Sequence, residues 1–237
     1  MKKIVFLIII GIMPTLLFAQ EAQAGMTPEE RFLSRTDTEL RIIAALAAAG
    51  TREQKTVALD SIEAMIKEGR VNQDDPEVNN LLRDLAGEGT YVVVREGGWR
   101  ANNFPDIRRR SVSLLGQLGG ESAKDMLLYI SEREVEPMVL SELVFALGAI
   151  GLNNNNESLL AITRILHDNN KRIPFPDNNL AVAGLLAIEK IIEKNNGFPS
   201  EPNPRFIYAA IMEIMTGSYN VNVKVWAENL MFRLRNY

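Results

Sequence analysis

Apolar residues recur with the period of an α-helix along most of the chain, and the clearest stretch runs from Pro105 to Gly151. Within it one spacing is written twice, from Ile107 to Gly119 and again from Val139 to Gly151, so the second copy is displaced by 139 − 107 = 32 residues. The matched positions are Ile107, Leu115, Gly116, Leu118 and Gly119 in the first copy and Val139, Leu147, Gly148, Ile150 and Gly151 in the second. A repeat of this length with helical spacing predicts stacked pairs of helices.

The spacing that the two copies share explains why the helix pairs would stack. Apolar and small residues stand at relative positions 0, 4, 7, 8 and 11, which share one face of a helix with 3.6 residues per turn. One pair cannot bury such a face, so neighbouring pairs must share a core. Position 4 is Ser111 in the first copy, where a small residue favours close helix approach, and Leu143 in the second. Gly116 and Gly148 stand near the predicted helix ends, and we expect them to allow a tight turn.

Helix start and stop signals extend the pattern in both directions. Thr27 and Thr51 are expected to be N-caps, and Asp75-Pro76-Glu77 is expected to open a further helix. A weaker third copy begins at Leu180, displaced by 180 − 139 = 41 residues, and Glu189 replaces its first glycine. The predicted helices span about 38–49, 51–68, 75–87, 106–118, 121–133, 137–149, 157–167, 180–191, 204–216 and 223–234, with a further helix start at 27–30.

One segment does not fit a pair of helices. Residues 91–95 are mostly β-branched and extended in character, and the glycines and asparagines that follow favour turns. We therefore predict an irregular insertion near residues 89–104, which either replaces a helix or lies between two repeats.

The repeat resembles the HEAT repeat, in the short form first associated with phycobilisome lyases. That pattern combines an acidic residue and an arginine near the helix start with Ala-Leu-Gly-x-Ile-Gly near its end. This chain carries Pro105-Asp106-Ile107-Arg108 and then Leu114-Leu115-Gly116-Gln117-Leu118-Gly119. The match is good across 105–151, partial across 179–235, and limited to the helix pattern across 38–87. The family's arginine is replaced by Leu140 in the second copy and by Ala181 in the third.

The resemblance implies an all-α fold, a right-handed α-solenoid of stacked antiparallel helix pairs, interrupted by the insertion near 89–104. It also implies a habit of binding other proteins. It does not imply lyase activity, because one fold carries many functions.

Residues 1–24 have the composition of a secretory signal peptide, with a basic start, an apolar run from Ile4 to Phe18 and small residues before Gly25. We expect cleavage before Gly25, with cleavage after Ala19 as a second possibility. An uncleaved anchor is the alternative, although the apolar run contains a proline and is shorter than the roughly 20 residues that span a bilayer. The HEAT-like domain would comprise residues 25–237, without an integral membrane segment, in the periplasm or outside a bacterial cell.

Charge and composition narrow the classes of function. The 237-residue chain has a formal net charge of −4, which disfavours nucleic acid, because a duplex binder needs a basic face. It has no cysteine, so disulfides, thiolate metal sites and a lipidated-cysteine anchor are excluded. His167 is the single histidine, and no nucleophile elbow, P-loop or dinucleotide motif is present. We therefore expect no catalysis, no metal and no cofactor.

Two surface features are candidates for contacting another protein. One is a local group of arginines in an acidic chain, and the other is a tryptophan between glycines and arginines in the predicted insertion. Arginine and tryptophan are enriched at binding hot spots. The candidate residues are Arg95, Trp99, Arg100, Arg108, Arg109 and Arg110. The alternatives are structural: Arg108 makes hydrogen bonds between repeats, and Trp99 fills a gap at the side of the stack.

Together these observations favour an exported scaffold that binds another protein, with its docking surface on the second helices of the pairs. Three alternatives stay open. The first is that the chain binds anionic lipid or cell wall through the arginine group. The second is that it acts as an accessory or lyase-like chaperone, and the third is that it serves as a spacer within a larger complex.

Overall fold

The computed structural model describes the backbone of residues 28–198, 205–235 and 237, with side chains described from residue 37 onward. The chain divides into two compact units, Met1–Ile43 and Ala44–Tyr237. The predicted signal peptide at 1–24 lies outside the described residues. Within the described ranges, no helix combines the length and the apolar character that crossing a bilayer requires.

The described residues form ten helices and one two-stranded sheet, which confirms the predicted all-α class. The helices are α1 (Pro28–Ala48), α2 (Arg52–Lys67), α3 (Pro76–Ala86), α4 (Pro105–Leu118), α5 (Gly120–Ser131), α6 (Pro137–Ile150), α7 (Glu157–Asn170), α8 (Asn178–Lys194), α9 (Arg205–Thr216) and α10 (Val221–Leu234). The strands are β1 (Arg95–Glu96) and β2 (Trp99–Arg100). The helix start predicted at 27–30 and the helix predicted at 38–49 belong to one continuous helix, α1.

The helices of the second unit pack in two rows, and within each row every helix contacts the next one. The first row consists of α2, α4, α6, α8 and α10, and the second row consists of α3, α5, α7 and α9. From α3 onward each helix also packs against the next helix of the chain. Leu115, Leu147 and Ile188 occupy one repeat position in three copies, and all three are 0% exposed. The apolar face predicted from the spacing therefore lies in the core.

The N-cap predicted at Thr51 and the helix start predicted at Asp75 are confirmed, whereas Thr27 lies outside the described residues. The Thr51 side chain accepts a hydrogen bond from the backbone N–H of Gln54 at 3.3 Å. Asp75 Oδ1 accepts from the N–H groups of Glu77 and Val78 at 3.1 and 3.2 Å. Each cap satisfies backbone donors that a helix N-terminus leaves without a partner, which is why these helices begin where they do.

The glycines that end the repeat copies have separate roles. Gly119 and Gly151 follow α4 and α6, and both have a φ of +74°, where a side chain would be strained. The turn is therefore made there. The expectation that Gly116 and Gly148 make the turn was wrong, because both lie inside their helices and in contact with the neighbouring first-row helix.

The predicted insertion is a short β-hairpin whose strands pair Arg95 with Arg100 and Glu96 with Trp99. Asn102, which is 5% exposed, holds the base of the hairpin. Its Oδ1 accepts from the N–H of Val94 at 2.8 Å, and its Nδ2 donates to the Val92 carbonyl at 2.7 Å. The hairpin lies between α3 and α4, so it is inserted between two helices of the stack and does not replace one.

Candidate protein-interaction surface

Arg108 is buried, with a side chain that is only 1% exposed. Its Nε and Nη2 donate to the two carboxylate oxygens of Glu134 at 2.6 and 3.3 Å. Its Nη1 donates to the Glu88 carbonyl at 3.2 Å and to Asn103 Oδ1 at 2.9 Å. Arg108 therefore joins the segment before α4 to the loop after α5. It is not available to a partner, which corrects its place among the candidate binding residues.

The carboxylate of Glu134 is as deeply buried as its partner, with 0% side-chain exposure. Besides Arg108, its Oε1 accepts hydrogen bonds from the backbone N–H groups of Val135 at 2.8 Å and Glu136 at 2.9 Å. A buried carboxylate is tolerated only when charge and hydrogen bonds compensate its lost hydration. The pair therefore fixes the conformation of the loop at 132–136.

Arg109 and Arg110 are closer to solvent, but each contacts carboxylates. Arg109 Nε lies 3.6 Å from Glu142 Oε2. Arg110 lies 2.5 Å from Asp60 and 2.6 Å from Glu63, both on α2. Hydrogen bonds from Lys67 and from Arg110 lower the pKa of the Glu63 carboxyl. The three consecutive arginines therefore do not form an uncompensated basic patch.

The remaining candidates lie together on the hairpin. Arg95, Trp99 and Arg100 are all exposed, and the Trp99 side chain is 82% exposed. The alternative expectation that Trp99 fills a gap in the stack was wrong, because the side chain contacts mostly solvent. A tryptophan in this position offers a large apolar area to an approaching molecule.

Trp99 is one of a set of very exposed apolar side chains that lie in the segments leading into first-row helices or, for Val221, at the first residue of such a helix. Among the described residues, the six most exposed large apolar side chains all lie in residues 87–104, 132–136, 171–177 and 217–221, which we call the loop surface. They are Ile173 (94%), Trp99 (82%), Val221 (73%), Phe175 (71%), Val92 (64%) and Val135 (62%). Single exposed apolar residues are ordinary, whereas several on neighbouring segments make this surface a candidate for interaction.

Hydrogen bonds connect the four segments of the loop surface in series. Arg108 joins the first to the second, as described above. Arg172 Nη2 donates to the Val135 carbonyl, which joins the second to the third. Asn169 Nδ2 donates to the Asp177 carbonyl at 2.8 Å and to Tyr219 Oη at 3.3 Å, which joins the third to the fourth. The apolar side chains are thus carried by neighbouring, mutually supported loops.

The large apolar side chains of the second-row helices, where we expected docking, have smaller exposed fractions. Tyr129 of α5, Leu160 of α7 and Met212 of α9 are 45%, 44% and 50% exposed. The same row carries His167, whose Nδ1 lies 2.9 Å from the Glu213 carboxylate. Among the described residues, no group of three or more histidine or carboxylate side chains is arranged to hold a metal ion.

Comparisons of the chain with protein-family models, with curated proteins and with solved structures found no match. The resemblance to HEAT repeats therefore rests on the residues quoted above.

Among the six exposed apolar side chains of the loop surface, only Trp99 was predicted from the sequence as a candidate binding residue. Val135, Ile173 and Phe175 lie outside every predicted helix, in loops that are otherwise polar or rich in proline. The repeat assigns core positions only to residues on a helical face, so an apolar residue in a loop has no predicted place in the core. The presence of such residues could have indicated the loop surface, although it does not distinguish a side chain packed under a loop from one exposed on it.

Proposed function

We propose that this chain is an exported, non-catalytic scaffold of the bacterial envelope that binds another protein through the loop surface. Its second unit would be a right-handed solenoid of HEAT-like repeats. Two observations support the solenoid. Alternate helices contact each other along the chain, and one repeat position is fully buried in three successive copies. Units with equal internal geometry are expected to stack in this way.

The observation that carries the binding proposal is the placement of the six most exposed apolar side chains, five on linked loops and Val221 at the start of α10. Leaving large apolar side chains in water is unfavourable by about 25 cal/mol per Å² of surface. A partner that covers Ile173, Trp99 and Phe175 removes that surface from water. Exposed Arg95 and Arg100 beside Trp99 add the polar contacts that specify an interface.

The alternatives have less support from the side chains. A binder of anionic lipid or cell wall was expected to use Arg108, Arg109 and Arg110, and these three contact carboxylates within the chain. An accessory or lyase-like chaperone would require a ligand site, and a spacer requires no exposed apolar surface. The envelope-surface alternative is an outcome of the experiment below.

The proposal is tested by site-specific photo-crosslinking of the purified mature protein in an envelope extract of its source organism. The photoreactive residue replaces Trp99 or Ile173, with Phe232 as the matched control. Phe232 is apolar and 53% exposed, but it lies on α10 outside the loop surface. Mass spectrometry identifies the crosslinked species.

We expect probes at Trp99 and Ile173 to capture the same protein and the probe at Phe232 not to capture it. Equal capture at all three positions would contradict the proposal. Crosslinks only to lipid or to wall fragments would establish the envelope-surface alternative instead.

A further inference from the structure

A cavity of about 580 Å³ lies between α3 and α5, beside the start of the loop surface. Its lining includes Asp84 of α3, Tyr91 and Val92 of the following loop, and Asp125, Met126 and Tyr129 of α5. Val92 belongs both to this lining and to the exposed apolar set. A molecule docked on the loop surface therefore has direct access to the cavity.

One wall of the cavity is a stacked pair of tyrosines. The rings of Tyr91 and Tyr129 lie 4.1 Å apart between centroids, with an interplanar angle of 24°. The Tyr91 hydroxyl donates to the backbone carbonyl of Tyr129, which fixes the pair. The guanidinium of Arg133 lies 4.6 Å from the Tyr91 ring centroid. The tyrosine pair thus already binds one arginine of the chain, and Tyr129 keeps 45% of its surface open.

Two carboxylates stand at the rim on different helices. The Asp84 and Asp125 side chains are 67% and 65% exposed. Asp84 contacts Arg83 at 2.9 Å, and Asp125 lies 3.4 Å from the Lys124 ammonium.

That ammonium is shared with two other carboxylates, Glu121 and Glu157. The charged residues that line the cavity itself are two carboxylates, Asp84 and Asp125, and one cation, Arg83, so a further cation is electrostatically favoured.

We propose that this cavity binds the side chain of an arginine from an extended segment of the partner protein. The aliphatic part of that side chain packs on Val92 and Met126. The guanidinium stacks on the open face of Tyr129, as Arg133 stacks on Tyr91, and donates to the carboxylates of Asp84 and Asp125. This inference rests on the proposed function, because the arginine belongs to the protein that docks on the adjacent loop surface.

The test uses N-acetyl-arginine amide as the probe and the full mature protein labelled with ¹³C in its methionine methyl groups. The Met126 resonance, assigned with Met126→Leu, is followed by NMR during titration. We expect a saturable shift of Met126. The neutral citrulline analogue, which keeps the shape but lacks the charge, should bind at least about tenfold more weakly, because it loses the charge-assisted hydrogen bonds.

Matched variants separate this site from general electrostatic attraction. Asp125→Asn removes one rim carboxylate, and Asp168→Asn is the control, since Asp168 is similarly exposed at 68% and has Lys171 at 4.0 Å. Asp125→Asn should weaken probe binding severalfold, and Asp168→Asn should leave it unchanged. Thermal unfolding verifies that both variants fold.

The absence of a saturable Met126 shift overturns the inference, as does an equal response to the citrulline analogue or an unchanged affinity in Asp125→Asn. If the titration fails while the probe at Trp99 still captures a protein, the inference is wrong and the proposed function stands. If the titration succeeds but no protein is captured, the proposed function is wrong, and the cavity is reassigned to a free cationic ligand.

Discussion

Gly116 and Ala146 lie in such close contact that a methyl group on Gly116 would stand 2.7 Å from the Ala146 Cβ. One repeat later, a methyl group on Gly148 would stand 2.7 Å from the Cα of Ala187. The two glycines are 148 − 116 = 32 residues apart and the two alanines 187 − 146 = 41, which are the displacements between the sequence copies. A repeated sequence position therefore makes a repeated contact between first-row helices.

The third copy replaces this contact with a different one. Glu189 stands at the glycine position, and its carboxylate accepts hydrogen bonds from Arg233 of α10 at 2.5 and 3.0 Å. The last helix of the first row is thus held at that position by an ion pair instead of by close backbone approach. Arg233 is 47% exposed, so this contact contributes little to stability.

Gly116→Ala is expected to destabilise the protein by about 1–3 kcal/mol, because the added methyl overpacks the interface between α4 and α6. Without the close contact, the substitution would stabilise the helix, because alanine has a higher helix propensity than glycine. The sign of the change in stability therefore distinguishes the two effects. The control is Gly50→Ala, since a methyl there would meet nothing within 4 Å. Chemical denaturation measures both.

Moving the methyl group from residue 146 to residue 116 tests the same contact in a second way. In the double variant Gly116→Ala with Ala146→Gly, the methyl group of Ala146 is removed, and the atom nearest to the new methyl group is the Cα of residue 146 at 3.1 Å. Part of the stability lost in Gly116→Ala should therefore return. A double variant no more stable than Gly116→Ala would contradict the proposed contact.

Arg108→Ala is expected to destabilise the protein by about 3–5 kcal/mol, because it leaves the buried Glu134 carboxylate without its cation. The neighbouring Arg109→Ala removes a longer and exposed ion pair and should cost less than about 1 kcal/mol. Equal effects of the two substitutions on the free energy of unfolding would contradict the burial of Arg108.

The sequence predicted the helices and their caps because both depend on local information. The apolar period marks the buried face of α4 and α6, and Thr51 and Asp75 satisfy donors only two or three residues away. The role of Gly116 could not be predicted in the same way. Its contact is with Ala146, and both a turn and a close approach between helices favour glycine.

The sequence could not distinguish the structural roles of the three consecutive arginines either. Arg108, Arg109 and Arg110 are identical in type and consecutive, yet one is buried and the others are partly exposed. Their helical angles decide which of them faces Glu134, and that partner lies 26 residues away in a loop. The loop surface also depends on tertiary structure, since exposure of Ile173 or Val135 is set by how successive loops pack.

Asn102→Ala is expected to loosen the hairpin without unfolding the helices. The substitution leaves the Val94 N–H without its acceptor and removes one of the two donors to the Val92 carbonyl, which keeps the Gly89 N–H, at a cost of about 1–3 kcal/mol. Trypsin cleavage after Arg95 and Arg100 should then become at least about fivefold faster, because local opening is easier. The control is Asn154→Ala, whose side chain bonds only the exposed Glu121. An unchanged cleavage rate in Asn102→Ala would contradict the role of this side chain.

The stability of the protein should fall above pH 10 in a way that depends on Tyr219. Burial raises the pKa of Tyr219 to about 12, against about 10 in an unfolded chain. Between these values the unfolded state ionises and the folded state keeps its proton. The stabilisation is complete below pH 10 and is lost as the pH rises towards 12, at about 1.4 kcal/mol per pH unit.

Tyr219→Phe should therefore show a shallower decline of the free energy of unfolding over this range. Tyr237→Phe, which alters a side chain that is 54% exposed, should keep the wild-type slope. Urea denaturation at several pH values measures the slopes, and parallel curves for wild type and Tyr219→Phe would contradict the assignment.

The most direct test of the loop surface is the affinity of the crosslinked partner for Trp99→Ala, measured against Phe232→Ala in the otherwise unchanged protein. Trp99 is 82% exposed in the free chain, so its replacement leaves the fold intact, which thermal unfolding verifies. A buried interface tryptophan contributes about 2 kcal/mol or more, so Kd should rise by at least about thirtyfold in Trp99→Ala and stay unchanged in Phe232→Ala. A Kd within about twofold of wild type for Trp99→Ala, or an equal loss in both variants, would contradict binding through the loop surface.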